Sequence, residues 1–181
     1  MTATTTPYGG SLSRGEAHIL HHELRLSHPP DRVWSAVASA EGLGLWLAHA
    51  NPFEPGPGGA VGWQPLHSEA ADFPVRTPPV IPGRITAWGE PRTVEYTLDT
   101  LGCVRFVLDA ESPRTGGGTR LRFWDTVTGD DRQRLGWLAR WHLHLEHLDQ
   151  ALSGRTPRWS AERLEELLAE YTRRDGEPAP R

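Results

Sequence analysis

The chain reads as an α+β domain in which a curved antiparallel sheet wraps around a long C-terminal helix. Three observations predict this. One amphipathic stretch keeps helical period from Asp131 to Gly154; four short alternating segments separated by turn residues precede it; and an alternating strand near the N-terminus is followed by two short helical segments.

The long helix is the best defined element. At about 100° per residue, Leu135, Leu138, Trp141, Leu145, Leu148 and Leu152 share one stripe, and Arg140, His144, His147 and Gln150 point the other way. Asp130 or Asp131 is placed to cap its first amides and Gly154 to end it after Leu152. Trp137 and Trp141 are large for a helix lying flat on a tightly packed sheet, so they either bridge a hollow or fill a core.

Residues 1–16 are mostly Thr, Gly and Ser with little to bury, and are expected to form a flexible arm anchored at Tyr8. The main domain is then 17–154. It opens with a strand over His18–Ser27, in which Leu20, His22, Leu24 and Leu26 share one face. HPPDRVWSAVASA follows as a helix with prolines in its first turn and Val33, Trp34 and Val37 inward, and Leu45, Trp46 and Leu47 sit on a second short helical turn. A Pro and Gly cluster leads into a strand carrying Val61 and Trp63. His67–Pro82 lacks periodicity and reads as a loop over one end of the sheet, either a lid or an ornament.

Four strands of an antiparallel meander come next. Val94, Tyr96 and Leu98 form one inward face, Val104, Phe106 and Leu108 the next, and Leu121, Phe123, Asp125 and Val127 the last, with Asp125 the polar exception. Gly116–Gly118 make a hairpin turn, since a strand follows them. The segment 155–181 is a C-terminal extension with a short helix near Ser160–Arg173, capped by Ser160, and a disordered end.

Composition excludes several function classes. The 181 residues suit one domain, and no run of about 18 apolar residues spans a membrane. The first residues lack a basic segment followed by an apolar core, so the protein is expected in the cytoplasm. All 19 basic residues are arginine, which excludes a Schiff-base lysine, and the net charge of −4 with scattered arginines leaves no footprint for nucleic acid. The single cysteine, Cys103, forms no internal disulfide; it is expected as a buried small hydrophobe, on the side away from Val104 and Phe106. Neither a cofactor fingerprint nor a nucleophilic serine setting is present.

Several motifs together, LRLSHPPDRVWSAVASAEGLGLWLA, GGAV at Gly58–Val61, PGRITAWGEPRTVEYTL, GGTRLRF and RWHLHLEHLDQALSG, resemble the START-like helix-grip domains of the SRPBCC superfamily. Within it they resemble the branch of heat-shock ATPase activators and polyketide cyclase-related bacterial proteins, and Trp159 and Tyr171 resemble a tail of bacterial members. The likeness runs from Tyr8 to Tyr171 and departs at Asp125, where many relatives carry histidine. It implies a helix-grip fold and three kinds of activity: carriage of lipids or small molecules, aromatase or cyclase chemistry, or co-chaperone binding.

The candidate site follows from the inward faces. Trp46, Trp63, Tyr96, Phe106, Leu138, Trp141 and Leu145 are expected to wall a chamber between helix and sheet, with His22, Asp125, His142 and the Tyr96 hydroxyl as its polar groups. The expected function is binding of a hydrophobic or aromatic small molecule. The alternatives are a cyclase or aromatase using His142 and Asp125 as acid and base, and a protein-binding module presenting Leu164 to Tyr171; a protein partner or a homodimer stays open. No metal is expected, because His142 sits about 160° from His144 and about 140° from His147 around the helix, so the three cannot converge on one ion.

Overall fold

The computed structural model describes residues 6–67, 79–112 and 117–176. Among these, one antiparallel sheet is built from β1 (Gly10–Arg14), β2 (Ala17–Leu26), β3 (Ala48–Phe53), β4 (Ala60–Pro65), β5 (Ile81–Gly89), β6 (Thr93–Leu98), β7 (Gly102–Ala110) and β8 (Thr119–Thr128), in the order β1-β2-β8-β7-β6-β5-β4-β3. The helices are α1 (Pro30–Val37), α2 (Ala40–Leu43), α3 (Asp131–Leu152) and α4 (Ala161–Asp175). After β2 the chain crosses through α1 and α2 to the far edge of the sheet, lays down β3, and returns strand by strand to β8. There it pairs with β2 from Ala17↔Thr128 to Leu26↔Thr119. This curved sheet gripping α3 is the helix-grip architecture.

Period two decides which side chains face α3. His18, Leu20, His22, Leu24 and Leu26 of β2 are buried, as are Thr119, Leu121, Phe123, Asp125 and Val127 of β8, while the residues between them face outward. The register then aligns rows across the sheet. His22, Phe123, Phe106 and Val94 form one row, and Leu20, Asp125, Val104, Tyr96 and Ile85 the next.

Helix α3 starts at a reciprocal capping box: Gln133 N–H donates to Asp130 Oδ1 at 2.8 Å and Asp130 N–H donates to Gln133 Oε1 at 2.9 Å. It ends at Ser153, followed by Gly154 at φ 74°, a left-handed position that suits glycine. Ser160 caps α4 through Arg163 N–H.

Two strands escape the sequence reading for the same reason, which is that neither edge strand buries an alternating row of large side chains. β1 lies inside the stretch read as an arm; its Leu12 is 68 % exposed, and the backbone ladder to β2 holds it. β3 offers only Ala48 and Ala50 inward and contains Pro52, which an edge strand tolerates. Trp46 and Leu47 are buried in the turn after α2, and Leu45 is exposed.

Cys103 is half-buried on the outer face of β7 rather than a core residue; burial, with Glu95 beside it, raises its pKa. It faces away from Val104 and Phe106 because neighbours in a strand take opposite faces. Most of the His67–Pro82 loop, Gly116 and the end of the C-terminal extension lie outside the described residues.

Candidate functional site

Every predicted wall residue is buried between sheet and helix. The large rings of this interior meet in two groups, one holding Trp63 and Tyr96 and the other Trp46, Phe106, Phe123 and Trp141. Trp63 meets Tyr96 at 5.0 Å between centroids, Trp46 meets Phe106 at 6.2 Å, Phe106 meets Phe123 at 5.3 Å, and Phe123 meets Trp141 at 4.4 Å. Leu138 and Leu145 supply the aliphatic part from α3. Phe123 is the hub, touching Phe106, Trp141 and His22. The sequence reading placed it on the inward face of the last strand without assigning it to the site. Three grooves lined wholly by described residues, of about 440, 650 and 260 Å³, lie elsewhere and include none of the ten predicted site residues.

The polar groups divide into satisfied and unsatisfied ones. The Tyr96 hydroxyl donates to Val37 O at 2.7 Å and Trp46 Nε1 donates to Ala36 O at 2.9 Å, so both serve the open carbonyls at the end of α1. The Tyr96 hydroxyl is thus spent on the fold instead of projecting as a handle; burial holds its pKa far above the usual value. Asp125 Oδ2 accepts from Trp141 Nε1 at 2.7 Å, whereas Oδ1 is buried without a hydrogen-bond partner. Burial pushes the Asp125 carboxyl up to about 7, an effect that the Trp141 indole and the nearby Thr126 amide offset only in part.

His22 is buried with neither ring nitrogen partnered, and burial, reinforced by His142, lowers its pKa to about 3. It is neutral across the physiological range. Trp63 Nε1 is also buried without a partner.

His142 belongs to a different set of contacts from Asp125. Its Nδ1 lies 3.0 Å from the Tyr171 hydroxyl, which accepts from Gly9 N–H at 2.9 Å. Its Nε2 stands 3.4 Å from Glu146 Oε1 without a hydrogen bond, and Glu146 is held by Arg163 at 2.7 Å. Tyr8 and His22 pack on the same imidazole at 4.8 and 6.1 Å. Among the described residues no hydrogen bond or ion pair joins His142 to Asp125. The structure therefore gathers His22 with His142, Tyr171 and Tyr8 on one side, and Asp125 with Trp141 and Phe123 on the other.

Sequence reasoning missed Tyr8, Tyr171 and Glu146 as partners of His142: Tyr8 and Tyr171 arrive from the two ends of the chain, and Glu146, one turn further along α3, was not weighed as a partner. It also put His144 and His147 on the solvent side of α3. His147 is 1 % exposed and Trp159 lies against both rings, at 5.8 Å and 6.2 Å, because the linker to α4 folds back over that face. The Leu164–Tyr171 face is partly consumed in the same way: Leu167 and Tyr171 are buried, and Leu168 is 37 % exposed.

No family model matches the chain, and no curated protein matches it by sequence. Solved structures do. The solution structure of CalU16 from Micromonospora echinospora is 18 % identical, with a TM-score of 0.66 over 96 % of this chain and 94 % of that one. EF2215 from Enterococcus faecalis, described as a conserved protein of unknown function, is 19 % identical, with a TM-score of 0.65 over 92 % and 89 %. The Aha1 dimer from Colwellia psychrerythraea is 14 % identical, with a TM-score of 0.57 over 74 % and 95 %. At these identities the likeness is one of fold, and the fold this chain shares with all three is the helix grip.

Proposed function

We propose that the protein binds a hydrophobic, aromatic small molecule between α3 and the sheet, with polar substituents of the ligand directed at Asp125, His22 and Trp63. The observation that carries the reading is the set of buried, unpartnered polar atoms turned into an apolar aromatic interior: Asp125 Oδ1, both nitrogens of His22, and Trp63 Nε1. Each such atom costs about 1–3 kcal/mol while it stays unsatisfied. A core selected for stability alone would hold hydrocarbon at these positions. A ligand with hydroxyl or carbonyl groups would recover that cost, and few polar groups on an apolar wall are what orient a small molecule. Asp125, titrating near neutrality, would accept from a hydroxyl when ionised and donate to a carbonyl when protonated.

Titration of the purified protein with a panel of polycyclic phenols, followed by tryptophan fluorescence, tests this. Saturable quenching is expected, and Asp125→Leu or His22→Phe should weaken it about tenfold each, the loss of one buried hydrogen bond. Absence of saturable binding across the panel, or equal affinity in both variants, would reject the reading. The cyclase alternative gains nothing from the geometry, since the imidazole and carboxylate it pairs have separate partners.

A further inference from the structure

The seam between β2 and the α3–α4 pair is closed by the short segment that precedes β1. Tyr8 packs on His142 of α3 at 4.8 Å and on Tyr171 of α4 at 5.2 Å, and the Arg174 guanidinium stands 3.9 Å from its ring centroid. Gly9 lies against β2, where a Cβ would meet His22 Cε1 and the His21 carbonyl oxygen at 2.5 Å each. Only glycine lets the backbone pass so close. We propose that Thr6–Gly9 is a displaceable strap gating passage between solvent and the aromatic interior, with His22 at the threshold, a role that rests on reading that interior as a ligand chamber.

His22 touches both sides of this boundary. The Nδ1–Cε1 edge of its ring faces Gly9, and the ring of Phe123, the hub of the interior, lies 5.9 Å away. His142, beneath Tyr8, is 6.1 Å from His22. Lifting Tyr8 and Gly9 therefore uncovers two buried imidazoles together, and the one that borders Phe123 has neither nitrogen hydrogen-bonded. The strap is also lightly held. The ladder to β2 begins at Gly10↔His21, and among the described residues the hydrogen bond of this segment runs from Gly9 N–H to the Tyr171 hydroxyl at 2.9 Å. Opening breaks that bond and the ring contacts of Tyr8 while the sheet stays paired, as low-energy local opening requires.

The rest of the described boundary is more firmly closed. The eight strands are hydrogen-bonded side by side, so among the described residues the sheet offers no mouth. α4 buries Leu167 and Tyr171 beside α3, and the linker before it sets Trp159 against His144 and His147. The seam beside β2 differs, because its outer end runs into the groove of about 440 Å³ lined by Thr6, Pro7, Leu24, Leu26 and Asp149. Leu24 and His22 are neighbours on the inward face of β2. An aromatic ring lying in this groove against Leu24 thus meets the start of the strap, one inward position from His22.

Modification of the unliganded full chain by diethyl pyrocarbonate, read residue by residue by mass spectrometry, measures access to each imidazole. His22 and His142 should react slowly in the parent and at least about tenfold faster in Tyr8→Ala, which removes the ring over His142, and in Gly9→Val, which forces the strap off His22. His144, enclosed by Trp141 and Trp159, should keep its parent rate and so report an intact fold. For a phenol that quenches the tryptophans, stopped-flow association and dissociation should both quicken in Tyr8→Ala while Kd changes less than about threefold. Parent-like modification of His22 in both variants, acceleration shared equally by His144, or ligand rates unchanged once His22 is uncovered would overturn the gate. A panel in which no phenol binds rejects the ligand chamber, whereas the modification rates by themselves still decide whether the strap opens.

Discussion

Replacing Asp125 with Asn removes a buried ionisable group while keeping its shape and an oxygen to accept from Trp141 Nε1, which now donates at 2.7 Å. In the folded protein the carboxyl keeps its proton up to about pH 7, whereas in the unfolded chain it releases it near its ordinary value of 3.8. Across that window the folded state binds the extra proton, so Asp125 makes the protein less stable as pH rises. At about 1.4 kcal/mol per pH unit, the span from 3.8 to about 7 amounts to about 4 kcal/mol. His22 acts in the opposite sense: between about 3 and 6.5 the unfolded chain takes up a proton that the buried ring refuses, so its contribution rises with pH. The quantity to measure is therefore the difference between parent and D125N, in which the histidine contribution cancels. Urea unfolding of both proteins from about pH 4 to about pH 8 should give curves that diverge steadily, with D125N gaining about 4 kcal/mol relative to the parent at the upper end. A difference that stays level over that range would refute the claim that Asp125 is buried without adequate compensation.

Two further changes probe how the ends of the chain are held. Tyr171→Phe removes the hydroxyl that joins Gly9 N–H to His142 and should cost about 1–3 kcal/mol, with faster amide exchange at Gly9; a protected Gly9 amide at unchanged stability would contradict the network. Asp130→Ala breaks the capping box of α3 and should lower stability by about 1 kcal/mol in urea unfolding, while Asp131→Ala, which lacks that role, should leave the cap in place.

The extent of the fold that could be read from the sequence follows from the range of its signals. Alternation along β2 and β8, and the stripe from Leu138 to Leu152, record burial one element at a time, which is why the sheet, the gripping helix and the buried wall were legible. Edge strands β1 and β3 were not, because backbone pairing holds them without burying a row of large side chains.

Which buried groups meet was decided by tertiary structure alone. Gly9 and Tyr171 are 162 residues apart and share one hydroxyl, and His67 reaches His147 only because the end of β4 and the middle of α3 are folded against each other. His144 and His147 have the sequence signature of a solvated face, and it is the returning α3–α4 linker, with Trp159, that encloses them. Periodicity specifies a side chain's direction relative to its own helix or strand; what occupies the space in that direction depends on segments brought there by the rest of the chain.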